Sequence, residues 1–160
     1  MNTRSDHLLQ HPGHVRLVAG WIYHEFWEGR AGYSVETFEA LLHEASDPDH
    51  IPLSLIALTD GRPAGTVNLI HNDDAIRPHL HPWLAALVVV PEFRRRGVGA
   101  DLVRALVGEA RRLGFFELFL GTDIPGFYQK LGAVIHERVT ETFCIMRIPL
   151  SDLPLTREAP

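Results

Sequence analysis

A run of seven apolar residues, 84–90, is followed by a proline, a basic turn with two glycines and an amphipathic segment. A strand without a polar side is typical of a central strand that helices cover on both faces of its sheet. Pro91 has no N–H to donate and is expected to end the pairing of this strand. The sequence therefore predicts an α/β fold in which a buried strand leads directly into a helix.

The turn after this strand contains Gly97 and Gly99. Glycine allows close approach of a ligand to the backbone, and the first N–H groups of a helix lack intrahelical partners and carry a partial positive charge. The turn therefore predicts a phosphate-binding site. A dinucleotide fingerprint would need a third glycine where Leu102 stands, and a P-loop would need a lysine that is not present here, so neither motif matches.

Two segments together resemble a known family. The spacing Arg-x-x-Gly-x-Gly, from Arg94 to Gly99, resembles the acetyl-CoA signature of the GNAT superfamily of N-acetyltransferases. Residues 126–133 resemble the Phe-Tyr-x-Lys-Leu-Gly-Phe segment of the same superfamily, in which the tyrosine hydroxyl faces the sulfur of the cofactor. Residues 81–85 are also similar to the start of the buried strand in one bacterial branch. The resemblance extends over roughly residues 50–149.

The resemblance implies a GNAT-like mixed, partly parallel sheet flanked by helices, with two central strands splayed apart around the pantetheine arm of acetyl-CoA. The backbone N–H groups of Leu87, Val88 and Val89 would bind the pantetheine amides and polarise the thioester. The pyrophosphate would be bound by Arg94, Arg95, Arg96, Gly97, Val98, Gly99 and Ala100. Tyr128, with a reference pKa of about 10, would donate to the leaving thiolate, whose reference value is about 8.5.

The acceptor site is less sharply defined by the sequence. The splayed strand carries Ala85 and Ala86 where some relatives place a glutamate, so the general base lies elsewhere or is replaced by a chain of waters. The candidates around the acceptor are His24, Trp27, Asp73, His79, His81 and Trp83. The same residues also fit ordinary helix packing, a solvated loop and an aromatic core position.

Two departures limit the resemblance. Many members have an asparagine seven residues before the tyrosine, contacting the cofactor, but Gly121 stands there in this chain. The second is Ala133, which replaces the usual aromatic after Leu-Gly and either widens the pocket or only alters the core. Separately, the chain has ten histidines, and the spacing of His79 and His81 suits zinc. No cysteine accompanies them, since Cys144 lies in an apolar strand and is expected to be a buried, inert thiol. No metal is expected.

Composition bounds the partners and the compartment. The net charge of −5 argues against a nucleic-acid binder. Residues 1–80 hold five basic and eleven acidic residues, whereas residues 81–160 hold ten and nine. The acidic residues of the first half have two interpretations. They would tolerate a cationic acceptor, or they simply lie on solvated helix faces. No apolar run approaches the ~18 residues of a membrane span, and no apolar signal segment opens the chain, so a cytosolic protein is expected.

The pattern of apolar residues predicts the order of the elements. We expect one domain over residues 1–150 and a tail over 151–160. The predicted helices cover residues 12–28, a segment beginning after the cap Ser34 and ended by Pro48, and a segment from Val98 to Gly114. The predicted strands are 53–58 and 64–70 around an Asp60-Gly61 turn, 84–90, 116–120, 133–139 and 142–148, with a weakly indicated first strand at 7–10. Residues 71–82 are expected to be a loop.

The leading functional prediction is an N-acetyltransferase that moves an acetyl group from acetyl-CoA directly to a primary amine of a small molecule or a protein. A noncatalytic acyl-CoA-binding or regulatory module on the same fold is the main alternative, and a metal-binding stress protein is a third. The sequence leaves open the acceptor and whether the chain forms a homodimer.

Overall fold

The computed structural model describes residues 1–150 and has the predicted mixed α/β architecture. The strands are β1 (Thr3–His7), β2 (Leu53–Thr59), β3 (Arg62–Ile70), β4 (Trp83–Val89), β5 (Glu117–Thr122), β6 (Val134–Arg138) and β7 (Cys144–Pro149). The helices are α1 (Val15–Ile22), α2 (Val35–His43), α3 (Val98–Arg112) and α4 (Pro125–Gln129). The predicted tail at 151–160 lies outside the described residues.

The seven strands form one sheet in the order β1-β2-β3-β4-β5-β7-β6. Every neighbouring pair is antiparallel except β4 and β5, which run parallel. Trp83 and Phe119 are the only residues paired between these two strands in the described part of the chain. Beyond this pair β4 and β5 separate, as predicted, and the sheet opens into a gap at its centre.

Successive side chains of each strand enter different apolar clusters, because they point to opposite faces of the sheet. On one face α3 packs over β2, β3 and β4, and its stripe of Leu102, Leu106 and Ala110 is fully buried. On the other face α1 and α2 pack over β2, around Ile56 and Leu58. A smaller cluster on this second face contains Leu80, Trp83, Phe119 and Ile145. The central gap is therefore accessible between helical layers.

The turns follow the predicted chemistry. Asp60 and Gly61 both have positive φ, +50° and +80°, which is the conformation of a tight hairpin turn between β2 and β3. Gly114, with φ of +89°, ends α3 as expected. Cys144 is buried and has no disulfide partner. None of the helices in residues 1–150 is long and apolar enough to cross a membrane.

Several predicted boundaries were wrong. The first strand is Thr3–His7 rather than 7–10, because residues 8–10 form a 3₁₀ turn that buries Leu8. The helix predicted at 12–28 is an α-helix only over Val15–Ile22 and continues as a π-helical turn over Tyr23–Trp27. Helix α2 ends at His43, before the proline expected to end it. Hydrophobic periodicity does not distinguish these helix types, because Tyr23 and Trp27 of the π-helical turn pack against the same apolar cluster as α1.

The prediction that the strand at 84–90 is buried on both faces was also wrong in part. Ala86, Leu87 and Val89 are only half-buried. The reason is tertiary: β5 leaves β4 after its first residue, so the second half of β4 borders the gap instead of another strand.

Helix α2 offers a test of local stability. The Ser34 hydroxyl accepts a hydrogen bond from the Thr37 amide at 3.3 Å, and the Thr37 hydroxyl accepts one from the Ser34 amide at 3.1 Å. Ser34→Ala is expected to lower the free energy of unfolding by about 1 kcal/mol, because the Thr37 amide loses its side-chain acceptor and keeps only its bond to the Ser34 carbonyl. Urea denaturation measures this, with the exposed Ser46→Ala as control. Equal losses in both variants would contradict a capping role.

Candidate functional site

A cavity of about 330 Å³ lies where the second half of β4 meets the beginning of α3. Nine of the ten residues predicted to bind a cofactor line it: Leu87, Val88, Val89, Arg94, Arg95, Gly97, Val98, Gly99 and Ala100. The sequence reasoning did not single out four further lining residues, Glu25, Phe93, Ile124 and Phe127. Arg96 is exposed and does not line the cavity; its guanidinium lies 4.0 Å from the sulfur of Met1.

The N-terminus of α3 presents free backbone donors to this cavity. The first hydrogen bond of the helix runs from the Asp101 amide to the Gly97 carbonyl, at 3.0 Å. The amides of Val98, Gly99 and Ala100 precede it and have no partner within the helix. Gly97, the residue before the helix, has φ of +83° and no atom within 4 Å of the place where a Cβ would be. The residues that carry these three donors all line the cavity, and no side chain at position 97 narrows it.

Two arginines add positive charge to the same cavity. The Arg94 Nε donates to the Val89 carbonyl at 2.8 Å, which holds the guanidinium against the end of β4. Arg95 has φ of +63°, an unusual value for a residue with a side chain. The Glu25 carboxylate, from the π-helical turn after α1, lies 3.7 Å from the Arg94 guanidinium. The cavity therefore combines fixed dipoles with cations and suits an anionic group.

The strand beside the cavity is irregular. An extra residue in β4 shifts its pairing with β3, so that Ala86 and Leu87 together lie opposite Val67. This is a β-bulge, and Ala86 within it has φ of +53°. A regular strand would turn every second residue toward the cavity, but Leu87, Val88 and Val89 all line it. The bulge thus brings three consecutive residues of β4 to the cavity.

Tyr128 lies on α4, next to the cavity-lining Phe127, and the centroids of the two rings are 4.9 Å apart. Tyr128 is buried, with 6 % of its surface exposed, and its hydroxyl has no hydrogen bond to any other residue in the part of the chain that the structure describes. Burial raises the pKa of Tyr128 to about 12. A neutral donor without a partner in residues 1–150 is therefore held in the core next to Phe127, while Tyr128 itself does not line the cavity.

Gly121 lies on β5, two residues beyond the last contact with β4, and Phe143 covers it. A Cβ at position 121 would be 2.6 Å from the end of the Phe143 ring. The space that a larger residue would occupy at 121 is therefore filled by Phe143, which explains how the chain accommodates the departure seen in its sequence.

The comparison with family models decides the family. The model described as the Acetyltransferase (GNAT) family matches residues 20–133. The chain belongs to this family. No curated protein sequence matches it.

Solved structures show the same fold as this GNAT-family chain. An aminoglycoside 6'-N-acetyltransferase complexed with coenzyme A is 17% identical, with a TM-score of 0.70, and the match covers 99% of each chain. YncA, a putative acetyltransferase from Salmonella typhimurium with acetyl-CoA, is 13% identical, with a TM-score of 0.72 and coverage of 94% of this chain and 95% of the other. A spermidine N-acetyltransferase SpeG chimera from Vibrio cholerae and hSSAT is 17% identical, with a TM-score of 0.66 and coverage of 94% and 96%.

None of the six acceptor candidates of the GNAT-family chain lines the cavity. His24 and Trp27 lie on the π-helical turn, where His24 is exposed and contacts Glu28 at 2.9 Å. Trp27 packs against Tyr33, with ring centroids 4.4 Å apart. Trp83 has 1 % of its surface exposed and donates its indole N–H to the Leu80 carbonyl, as a core residue does.

The other three candidates share the loop 71–82, which precedes β4 at the end of the strand far from α3. Loss of hydration and the charge of Asp74 raise the pKa of Asp73 to about 6, although the residue as a whole is exposed. His81 Nδ1 lies 2.9 Å from the His71 carbonyl oxygen, and His79 is exposed. Among residues 1–150, no group of three histidine, cysteine or acidic side chains is placed to hold a metal ion.

This loop is held in place by Arg77, which is largely buried. Its guanidinium donates to both carboxylate oxygens of Glu137 on β6, at 2.9 and 2.7 Å, and to Asp74 at 2.7 Å. These bonds raise the pKa of Arg77 and join the loop to the far edge of the sheet. The loop is thus a fixed wall at the start of β4.

Proposed function

We propose that this GNAT-family chain is an acetyl-CoA-dependent N-acetyltransferase, which transfers the acetyl group directly to a primary amine. The observation that carries the proposal is the cavity, which joins the bulged edge of β4 to the free N–H groups of α3. A ligand with an anionic end and an extended polar arm suits this combination, and coenzyme A has both.

The residues present fit the diphosphate of this ligand. The amides of Val98, Gly99 and Ala100 would donate to its oxygens, and Arg94 and Arg95 would balance its charge. Arg96 was also predicted to bind the pyrophosphate, but its side chain lies outside the cavity and would contribute only its charge. The pantetheine arm would lie along Leu87–Val89, which line the cavity at the edge of the gap between the strands.

The transfer requires three things of the protein: an oriented thioester, a donor for the departing thiolate and an access route for the amine. The β4 bulge would direct a backbone N–H at the thioester carbonyl, where negative charge develops during attack. Tyr128 would donate its proton or a hydrogen bond to the thiolate, since its hydroxyl is neutral and has no other partner in residues 1–150. The amine would approach from the face opposite α3.

Two features support a cationic amine as the acceptor. Two of the structural neighbours are named for cationic amines, an aminoglycoside and spermidine. Residues 1–80, which include the helices on the face opposite α3, contain more than twice as many acidic as basic residues. His24, Trp27, Asp73, His79 and His81 lie on the two segments that would border the acceptor.

The proposal is tested by thiol release from acetyl-CoA with a panel of polyamines, aminoglycosides and arylalkylamines, together with mass spectrometry of the amine. We expect thiol release that depends on the amine and an equal amount of acetylated product. Binding of acetyl-CoA in calorimetry without turnover on any amine would instead indicate a noncatalytic acyl-CoA-binding module.

Gly97→Ala tests the phosphate site. The left-handed φ of Gly97 disfavours any residue with a Cβ by about 1–2 kcal/mol. We therefore expect a lower free energy of unfolding and weaker binding of coenzyme A in calorimetry, because relief of the strain moves the first turn of α3. The control is Gly108→Ala in the interior of the same helix, with no atom within 4 Å of the new Cβ. This change is expected to stabilise the protein by about 0.5–1 kcal/mol. Unaltered coenzyme A affinity in Gly97→Ala would argue against the site.

A further inference from the structure

A polar pair is buried on the face of the sheet opposite α3. Ser54 on β2 lies directly across from Asn68 on β3, and they are 5 % and 6 % exposed. The Ser54 hydroxyl donates to the Asn68 side-chain oxygen at 2.6 Å. Burial of polar groups is unfavourable without hydrogen bonds, and an apolar pair of similar shape can be as stable. Stability alone therefore does not account for the pair.

The side-chain NH2 group of Asn68 indicates a different role for the pair. Its side-chain N–H donates to the Ala85 carbonyl at 3.4 Å. This carbonyl belongs to the peptide that leads into Ala86, whose φ of +53° is unfavourable for a residue with a Cβ. Such a conformation persists only where surrounding groups hold it. Asn68 is the side chain in residues 1–150 that hydrogen-bonds to this turn of the backbone.

We propose that Asn68, oriented by Ser54, is a positioning residue that holds the bulge of β4 in the conformation needed for acyl transfer. The inference rests on the proposed function, because the bulge matters only if it orients the acyl donor. Asn68 fixes the Ala85 carbonyl, the carbonyl fixes the peptide before Ala86, and this peptide sets the direction of Leu87. An error of about 1 Å in such a group can reduce a rate by about 100-fold.

Thr66 provides a matched control on the same strand and face. Its hydroxyl donates to the Leu55 carbonyl of β2 at 2.8 Å, and the residue is fully buried. Thr66 is thus a buried polar residue of β3 like Asn68, but its hydrogen bond is directed away from β4. Thr66→Val is expected to lower stability and leave kcat unchanged.

The test replaces the pair by apolar residues, in the double variant Ser54→Ala/Asn68→Leu, so that neither side chain is left without the other and only the Ala85 carbonyl loses a donor. We expect kcat to fall about 10- to 100-fold with a much smaller change in the KM for acetyl-CoA, because the phosphate site at α3 is untouched. The thermal midpoint is expected to stay close to that of the wild type. A wild-type kcat in this variant would overturn the proposal.

Rescue distinguishes positioning from general damage. Adding Ala86→Gly to the double variant removes the penalty on positive φ, so the bulge no longer needs Asn68 and kcat is expected to recover at least in part. Failure of Ala86→Gly to raise kcat would also overturn the proposal.

A structural readout separates this inference from the proposed function. In a crystal structure of Ser54→Ala/Asn68→Leu, φ at residue 86 is expected to leave the positive region. A φ that stays near +53° would overturn the positioning role. If the wild type shows no turnover with any amine, the proposed function fails, while the same crystal structure still decides whether Asn68 holds the bulge.

Discussion

Tyr128→Phe is expected to lower kcat for acetyl transfer by about 100-fold or more, within the range of about 10²–10⁴ that a general acid contributes. The hydroxyl has no hydrogen bond to another residue in 1–150, so its removal breaks no contact there and the ring still fills its place in the core. Stability and the affinity for acetyl-CoA are therefore expected to stay close to those of the wild type.

Steady-state kinetics with saturating amine, together with calorimetry of acetyl-CoA binding, measure these two effects separately. The matched control is Tyr33→Phe, which removes the hydroxyl of an exposed tyrosine in the aromatic cluster with Trp27. We expect it to leave kcat unchanged. An unchanged kcat in Tyr128→Phe would remove this tyrosine from the mechanism.

The pKa of Tyr128 adds a pH dependence. Because burial raises the pKa from 10.0 to about 12, the phenol stays protonated in the folded protein throughout the usual assay range. Its ionisation therefore causes no loss of kcat between about pH 8 and 10. Above about pH 10 the tyrosine of the unfolded chain ionises before that of the folded protein, so Tyr128 contributes a fall in the free energy of unfolding there. The tightly held proton also favours hydrogen bonding to the thiolate over complete transfer.

Gly65→Ala is expected to damage both stability and cofactor binding. A Cβ at position 65 would lie 2.6 Å from the backbone oxygen of Val88 and 3.1 Å from the Leu102 side chain. A backbone oxygen cannot rotate away as a side chain can, so β4 must shift. We expect the free energy of unfolding to fall by about 1–3 kcal/mol, as for other overpacked cores. Because Val88 lines the cavity, coenzyme A is expected to bind more weakly. Its dissociation constant rises about tenfold for each 1.4 kcal/mol of binding free energy that is lost.

Chemical denaturation and calorimetry with coenzyme A measure the two losses of Gly65→Ala. Gly20→Ala on α1 is the control, since no atom lies within 4 Å of its new Cβ and helical glycine is less stable than alanine. It is expected to preserve or raise stability with unchanged binding. Wild-type stability and affinity in Gly65→Ala would show that β4 has room to move and that its position does not determine binding.

The cofactor side of the candidate site could be predicted because it depends on local chemistry. Gly97 starts a helix, and the amides that follow it are free whatever the rest of the chain does. The acceptor side could not, because it depends on how separate segments meet. Trp83 is an aromatic residue of a type common in binding sites, but it is buried in the core. Glu25, by contrast, reaches the cavity because it lies on a π-helical turn, which no periodicity predicts.

The same distinction applies to β4. Its seven apolar residues suggested burial on both faces, and the first part of the strand is indeed buried. The second part is exposed to the cavity because β5 diverges from it and a bulge turns Leu87 toward the gap. Gly65 and Asn68, which shape and hold this part, lie on the neighbouring strand and carry no signal of their own in the sequence. Their importance comes from contacts to Val88 and Ala85 across the sheet.

The amino-acid sequence by itself determined the order of the elements, the apolar strand followed by a glycine-containing helix start, and the family resemblance, because these depend on short stretches of chain. Only the tertiary structure decided where β4 and β5 separate, which is after a single pair, that the bulge forms at Ala86, and that the hydroxyl of Tyr128 is buried without a partner in residues 1–150. Strand divergence, bulge register and burial are properties of contacts between distant residues, and such contacts leave no periodic pattern in a single sequence.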